Sequence, residues 1–146
     1  MSVSAKLPFM DTSQLQPGQG YEYDIDVTPD MRAGLGLGEL VVHELYSTSA
    51  MLAHLEWAAR QVLLPALAPD EEACGYKMTI EHRHPTPFGQ TVHIAARLTG
   101  VETRRKPDGR HTVLVTCHCT AHVKGTLVGQ ADVVQAVLPR SVLRSR

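Results

Sequence analysis

The sequence predicts an α+β domain in which a single long helix packs against an antiparallel β-sheet. Three observations lead to this class. The stretch Tyr21–Val27 alternates between apolar and polar residues, which is typical of a half-buried strand. Apolar residues then recur at helical spacing from Thr48 to about Leu67. After this helix the chain has only strand patterns separated by short turns, as expected for antiparallel strands joined by hairpins.

The elements have identifiable start and stop signals. Ser47 or Thr48 is a plausible helix N-cap, and Pro65 limits the far end because proline lacks a backbone N–H. Turns are expected at Lys106–Gly109 and Lys124–Gly125. Four strands are expected after the helix, and the last of them runs from about Thr126 to Leu138. In each of the other three strands, alternate residues share one face. These faces consist of Cys74, Tyr76, Met78 and Ile80 in the first strand, Val92, Ile94, Ala96 and Leu98 in the second, and His111, Val113, Val115, Cys117, Cys119, Ala121 and Val123 in the third.

Length and composition indicate one globular domain. The chain has 146 residues, of which 43% are hydrophobic and 20% are charged, so it can bury one core but is too short for two ordinary domains. We expect an N-terminal arm over residues 1–20, a single domain over 21–140 and a short tail over 141–146. The net charge of −1 gives no electrostatic support for a nucleic-acid partner. No apolar stretch approaches the length of a membrane span.

Cysteine usage and the N-terminus favour a reduced, cytoplasmic protein. The three cysteines are an odd number, and Cys117 and Cys119 share one strand face, which is a poor geometry for a mutual disulfide. The first residues lack the apolar run of a signal peptide.

Three polar residues occupy positions where the patterns favour apolar side chains. Thr48 lies near the middle of the apolar stripe of the helix, and Glu56, eight residues later, borders that stripe. His82 ends a strand pattern and has the parity of the residues that face the helix. A hydroxyl, a carboxylate and an imidazole against one core are the side chains of a hydrolytic site.

Each of these residues also has a simpler explanation. His82 could be an inert histidine at the rim of the sheet, and Thr48 could be only a helix cap. Glu56 could form a solvated ion pair with Arg60, four residues further on. A metal site can be imagined from the histidines His82, His84 and His93, but no carboxylate follows at a convincing spacing, and we expect no metal.

In this layout the chain resembles the hotdog-fold thioesterases, particularly the group typified by fluoroacetyl-CoA thioesterase. The resemblance runs from about Tyr21 to Leu138, which is most of the chain. It rests on Thr48 with Glu56-Trp57-Ala58 on the helix, on Gly75, and on His82 followed by Thr86-Pro87. It implies a hotdog fold, in which an antiparallel sheet wraps around one long helix.

The resemblance also implies an acyl-CoA thioesterase that needs no cofactor. Thr48, Glu56 and His82 would be its catalytic residues, and Gly75 would contact the substrate near the thioester. Sites of this family lie at a dimer interface, and an unprotected sheet edge with a single covering helix agrees with a homodimer or a dimer of dimers. The acyl group and the choice between CoA and acyl carrier protein stay open. Two other functions also stay open, a non-catalytic acyl-CoA-binding hotdog module and a hotdog enoyl-CoA hydratase.

One departure from the pattern of the group concerns selectivity. The fluoroacetyl-CoA enzyme has a lid with phenylalanines between its first strand and its helix. Here Val27–Leu45 is rich in glycine and has no Phe, Tyr or Trp. The sequence therefore predicts thioester hydrolysis without fluoroacetyl selectivity.

Overall fold

The computed structural model describes residues 12–34 and 43–143. Its strands and helices are β1 (Gly20–Asp26), α1 (Thr48–Leu63), β2 (Glu71–His82), β3 (Thr91–Arg105), β4 (His111–Val123), β5 (Thr126–Pro139) and α2 (Arg140–Leu143). Short 3-10 turns occupy Thr12–Gln14, Pro29–Met31 and Leu64–Ala66. The order of one strand, one long helix and four long strands confirms the predicted α+β class.

The five strands form one antiparallel sheet in the order β1-β3-β4-β5-β2. The hairpins β3–β4 and β4–β5 close through the two expected turns, in which Gly109 and Gly125 have positive φ. β1 and β2 occupy the two edges of the sheet. One face of the sheet packs on α1, which contacts all five strands, so the sheet wraps around the helix as in a hotdog fold.

Helix α1 begins where Ser47 caps it. The Ser47 Oγ atom accepts a hydrogen bond from the backbone N–H of Ala50 at 3.0 Å. The helix ends at Leu63, before the expected Leu67, because the missing N–H of Pro65 turns the chain into the 3-10 turn that follows. The residues of α1 that are buried against the sheet are Met51, Leu55, Ala58, Ala59, Val62 and Leu63.

Strand β2 departs from the predicted alternation at a β-bulge. Its pairing with β5 shifts register between Gly75 and Lys77, which leaves Tyr76 as the extra residue. Tyr76 is 56% exposed, so its predicted place on the helix-facing side is wrong. Gly75 lies inside this strand, next to the bulge.

The bulge changes which residues of β2 face the helix. Before the bulge the buried positions are Glu71 and Ala73, and after it the half-buried positions are Met78, Ile80 and His82. The predicted common face therefore holds only from Met78 onward, and it includes His82.

Residues just before β1 pack against the sheet. Leu15 is buried in the core, and the backbone N–H of Gly18 donates to the carbonyl of Leu98 at 3.1 Å. Residues 12–19, which the sequence assigns to an arm, thus contact the folded unit. Residues 1–11, 35–42 and 144–146 lie outside the described residues, and residues 35–42 belong to the glycine-rich stretch Val27–Leu45. In the described ranges no helix is long and apolar enough to cross a membrane.

Candidate active site

The structure brings Thr48 and His82 together. Thr48 is the first residue of α1 and His82 is the last residue of β2. The Thr48 Oγ1 atom lies 3.1 Å from His82 Nδ1, a hydrogen bond whose donor depends on the imidazole tautomer. Since Ser47 supplies the helix cap, the Thr48 hydroxyl is available for this contact.

The ring of His82 is half-buried between α1 and the loop before it. The ring of Tyr46, which is fully buried, meets it edge-on with the centroids 6.3 Å apart. Burial lowers the pKa of His82, and the nearby backbone of His84 opposes this effect in part. Among the described residues, the buried Nε2 atom of His82 has no hydrogen-bond partner. A neutral imidazole with an unpaired nitrogen can accept a proton.

A second polar pair, which the sequence did not reveal, lies beside His82. The Tyr46 hydroxyl oxygen is 2.5 Å from His54 Nδ1, and the two rings stack. The backbone N–H of Tyr46 donates to the carbonyl of Thr86 at 2.8 Å, and the Tyr23 hydroxyl donates to the carbonyl of His54 at 2.9 Å. Burial raises the pKa of Tyr46 and lowers the pKa of His54, so both side chains are held neutral near pH 7.

Glu56 and Gly75 meet at a cavity of about 200 Å³ between α1 and β2. The residues that line it are Ala53, Glu56, Trp57, Arg60, Ala73, Cys74, Gly75 and Gln135. A Cβ atom at Gly75 would lie 2.6 Å from Glu56 Oε2, closer than side chains approach one another in proteins. Only glycine therefore lets the carboxylate rest against this strand.

The ion-pair explanation for Glu56 does not hold for the described residues. Arg60 pairs instead with Glu72, with 2.5 Å between Nη2 and Oε1, and it donates to the backbone carbonyl of Ala73 at 3.1 Å. Glu56 itself forms no salt bridge within the part of the chain that the structure describes. It contributes a half-buried carboxylate to the cavity.

Within one chain the four predicted site residues form two pairs. Eight residues of helix separate Thr48 from Glu56, which corresponds to about 12 Å along the axis. Seven residues of extended strand separate Gly75 from His82, which corresponds to roughly 20 Å. The Thr48–His82 pair and the Glu56–Gly75 pair thus lie at different points along the same inward surface.

The other candidates from the sequence lie away from this surface. His84 is exposed, and His93 projects from the opposite face of the sheet, where its Nδ1 atom is 2.7 Å from Asp24. The hydrogen bond with Asp24 raises the pKa of His93. Residues 12–34 and 43–143 contain no group of three or more side chains that could hold a metal ion. All three cysteines are free, and burial raises the pKa of Cys117 to about 12, which disfavours a thiolate there.

Comparisons of the sequence identify the family. The chain matches the family model of the FlK fluoroacetyl-CoA-specific thioesterases over residues 27–141. The fluoroacetyl-CoA thioesterase of Streptantibioticus cattleyicolor is 37% identical to it over 62 residues. That match covers 42% of this chain and 45% of the relative, so the chain spans about half the length of the curated relative that it matches.

Solved structures share the fold over most of the chain. A variant of the fluoroacetyl-CoA-specific thioesterase, in complex with fluoroacetate and CoA, is 24% identical with a TM-score of 0.75, covering 88% of this chain and 99% of that one. A hot-dog-like protein from Thermanaerovibrio acidaminovorans is 18% identical with a TM-score of 0.73, covering 92% of each chain. A thioesterase superfamily member from Thermus thermophilus is 27% identical with a TM-score of 0.71, covering 88% of each chain. With this fold, and with a family match from residue 27 to residue 141, the chain belongs to the FlK family of fluoroacetyl-CoA-specific thioesterases.

Proposed function

We propose that the protein hydrolyses acyl-CoA thioesters to a carboxylic acid and free CoA. The observation that carries the proposal is the Glu56 carboxylate held against Gly75 in a cavity, on the same inward surface as the Thr48–His82 pair. Membership of a thioesterase family supports this chemistry. The proposed reaction uses side chains and backbone groups alone.

In a dimer, the Thr48–His82 pair of one chain and the Glu56–Gly75 pair of the other chain would form one complete site. β2 pairs only with β5, which leaves its other edge open among the described residues. If two β2 strands paired about a two-fold axis at Thr79, with Tyr76 left out as the extra residue of the bulge, each His82 would lie opposite the partner's Gly75. Directly opposed residues point to the same face of a sheet, and Gly75 and His82 both face α1. Each site would then combine Thr48 and His82 of one protomer with Glu56 of its partner.

The β1 edge is less suited to this pairing. Its exposed positions include Glu22, Asp24 and Asp26, and a two-fold axis there would bring like charges together. β2 instead has Lys77 and Glu81 on its exposed side, and an axis at Thr79 would set each Lys77 opposite the partner's Glu81, so opposite charges would meet. These features support a homodimer, or a dimer of dimers, built on β2.

In this site each group has a role in the attack on the thioester. With water as the nucleophile, His82 takes a proton from the water as its oxygen adds to the carbonyl carbon, and returns that proton to the sulfur as the C–S bond breaks. With Glu56 as the nucleophile, its carboxylate adds to the carbonyl carbon, the C–S bond breaks to leave an anhydride, and the thiolate takes a proton from solvent. Water activated by His82 then hydrolyses the anhydride to the acid and frees Glu56. The Thr48 hydroxyl orients the reacting groups in either case. Backbone N–H groups at the start of α1 or near Gly75 would stabilise the oxyanion, and losing one such donor costs about 3 kcal/mol of barrier.

The proposal also covers the range of acyl groups that the enzyme accepts and the cellular compartment in which it works. Residues 27–45 contain no Phe, Tyr or Trp, which supports a pocket without fluoroacetyl selectivity, although residues 35–42 lie outside the described residues. Three free cysteines support a reduced, cytoplasmic setting.

A hydrolysis screen tests the function. The purified protein is offered acetyl-CoA, fluoroacetyl-CoA and a panel of longer and branched acyl-CoAs, and the released thiol is measured. We expect kcat/KM for at least one longer or branched substrate to equal or exceed that for both short ones. Glu56→Gln should abolish most of the turnover, whereas Glu102→Gln, at an exposed carboxylate of the β3 end, should leave it unchanged.

Three results of the screen would contradict the proposal. Tight binding of acyl-CoAs without thiol release would identify a binding module. Water addition to an enoyl-CoA without thiol release would identify a hydratase. A strong preference for fluoroacetyl-CoA over acetyl-CoA would refute the predicted selectivity.

A further inference from the structure

Gln135 stands out among the buried polar side chains of the described residues. Ser47, Glu71, Thr86 and Gln135 are each at most 5% exposed. The first three form hydrogen bonds through their side-chain oxygens. Gln135 is 3% exposed, and its Oε1 atom is buried without a hydrogen-bond partner. An acceptor that is buried and unpaired is costly, so it requires an explanation.

The orientation of the Gln135 amide is set by the helix. Its Nε2 atom donates a hydrogen bond to the backbone carbonyl of Glu56 at 3.3 Å. If the amide were turned over, Oε1 would face that carbonyl and two acceptors would meet. The nitrogen therefore points to α1, and the oxygen is the atom left without a donor.

Gln135 lies on the wall of the cavity that holds Glu56 and Gly75. Arg60, the strongest donor on this wall, is already bound to Glu72 and to the carbonyl of Ala73. In the described part of the chain, no other side chain of the cavity donates to the Gln135 oxygen. A molecule that enters the cavity can supply the missing donor.

We propose that Gln135 is a substrate-binding residue whose Oε1 atom accepts a hydrogen bond from the bound thioester. The donor is an amide N–H of the thiol arm or a hydroxyl of the acyl group. This inference rests on the proposed thioesterase function and adds the class of substrate, a thioester with an N–H or O–H donor near its reacting carbonyl. A neutral amide oxygen accepts a hydrogen bond but does not neutralise charge, so this position selects for a donor and not for an anion.

Matched thioesters test this inference and separate the two sources of the donor. The first pair is an acyl-N-acetylcysteamine thioester and an S-alkyl thioester of equal length without the amide. The second pair is a hydroxyacyl and the corresponding plain acyl thioester of the same thiol. The protein should favour the donor-bearing member of one pair by about 10- to 100-fold in kcat/KM, because its absence leaves the buried oxygen unpaired.

Two variants at β5 complete the test. Gln135→Met keeps the length of the side chain but removes its hydrogen bonds, and it should abolish the preference. Gln130→Met, on the other face of the same strand, should keep it. The preference is the ratio of kcat/KM for two substrates measured on the same variant, so a smaller fraction of folded protein does not change it. The inference is overturned if the native protein shows no preference in either pair, or if Gln135→Met slows all four thioesters equally.

A failure of the proposed thioesterase function can be distinguished from a failure of the Gln135 inference. If the native protein hydrolyses none of the thioesters, the proposed function fails, and binding then decides the role of Gln135. Calorimetric titration would use an unreactive thioether analogue of each donor-bearing thioester. Binding at least tenfold weaker in Gln135→Met than in Gln130→Met would support the inference, and equal binding would overturn it.

Discussion

Ser47 and Thr48 are neighbouring hydroxyl residues with different tasks. The Ser47 oxygen accepts a hydrogen bond from the first turn of α1, and the Thr48 oxygen reaches His82 in β2. The side chain of Thr48 therefore takes no part in capping the helix. Stability and catalysis can be perturbed separately at these two positions.

Ser47→Ala should mainly lower stability, and Thr48→Val should mainly lower turnover. Ser47→Ala loses the cap and should lower the free energy of unfolding by about 1 kcal/mol while turnover persists. Thr48→Val keeps the branched shape and the cap but loses the hydroxyl, so kcat should fall by about tenfold or more with little loss of stability. Urea unfolding and steady-state kinetics of both variants measure these effects. Normal turnover in Thr48→Val, combined with a cap-sized loss of stability, would show that Thr48 is only structural.

Gly75 should be intolerant of a single methyl group. A Cβ atom there would lie 2.6 Å from Glu56 Oε2 and 2.7 Å from Met78 Cε, both at the ends of flexible side chains. Gly75→Ala should therefore fold, displace the carboxylate and lower kcat by about 100-fold.

Gly100→Ala is the matched control, because the nearest atom, Thr116 Cβ, would lie 4.0 Å away. Kinetics show whether each substitution lowers kcat, and thermal melts show whether it lowers stability. If Gly75→Ala retained native kcat, the closeness of Gly75 to Glu56 would have no catalytic meaning.

At the scale of elements, alternation and helical spacing predicted most of the fold. Val92, Ile94, Ala96 and Leu98 face the core as expected, because a strand with one buried face must alternate. The bulge at Tyr76 could not be predicted in this way. An extra tyrosine in an apolar row leaves the pattern unbroken, and only pairing with β5 reveals that the register has shifted.

The candidate site was predicted in part for similar reasons. Parity placed His82 towards α1, and the structure adds its contact with Thr48. The contact of Tyr46 with His54 joins a loop residue to a helix residue, and no periodic pattern marks such a pair. Gln135 did leave a signal, since it interrupts an inward row between Val133 and Val137.

His82, at the point where β2 meets the start of α1, should make kcat/KM fall at acidic pH. Burial lowers the pKa of His82 below its ordinary value of 6.5. If neutral His82 is the active form, kcat/KM should rise with pH through a midpoint below 6.5 and stay level from there to pH 8. A pH–rate profile measures this midpoint. A midpoint above 6.5 would contradict the role, as would an unchanged acidic limb in the residual activity of His82→Ala.

At the scale of the whole molecule, the sheet leaves two edges of different character. The β1 edge carries exposed carboxylates, and the β2 edge contains Gly75, against which Glu56 of α1 rests, and ends at His82. A single chain spaces these pairs about 12 Å apart along α1, too far for one substrate carbonyl to meet both. The proposed activity therefore depends on a second copy of the chain.

Mixing two inactive variants tests this dependence most directly. His82→Ala and Glu56→Gln should each be nearly inactive alone. If each site takes His82 from one protomer and Glu56 from the other, a mixed dimer has one intact site and one doubly defective site. After unfolding and refolding together in equal amounts, the mixture should recover about a quarter of native kcat, since half of the dimers are mixed. Light scattering and differential tags confirm that mixed dimers are present. No recovery in a mixture that contains them would contradict a site shared between two chains.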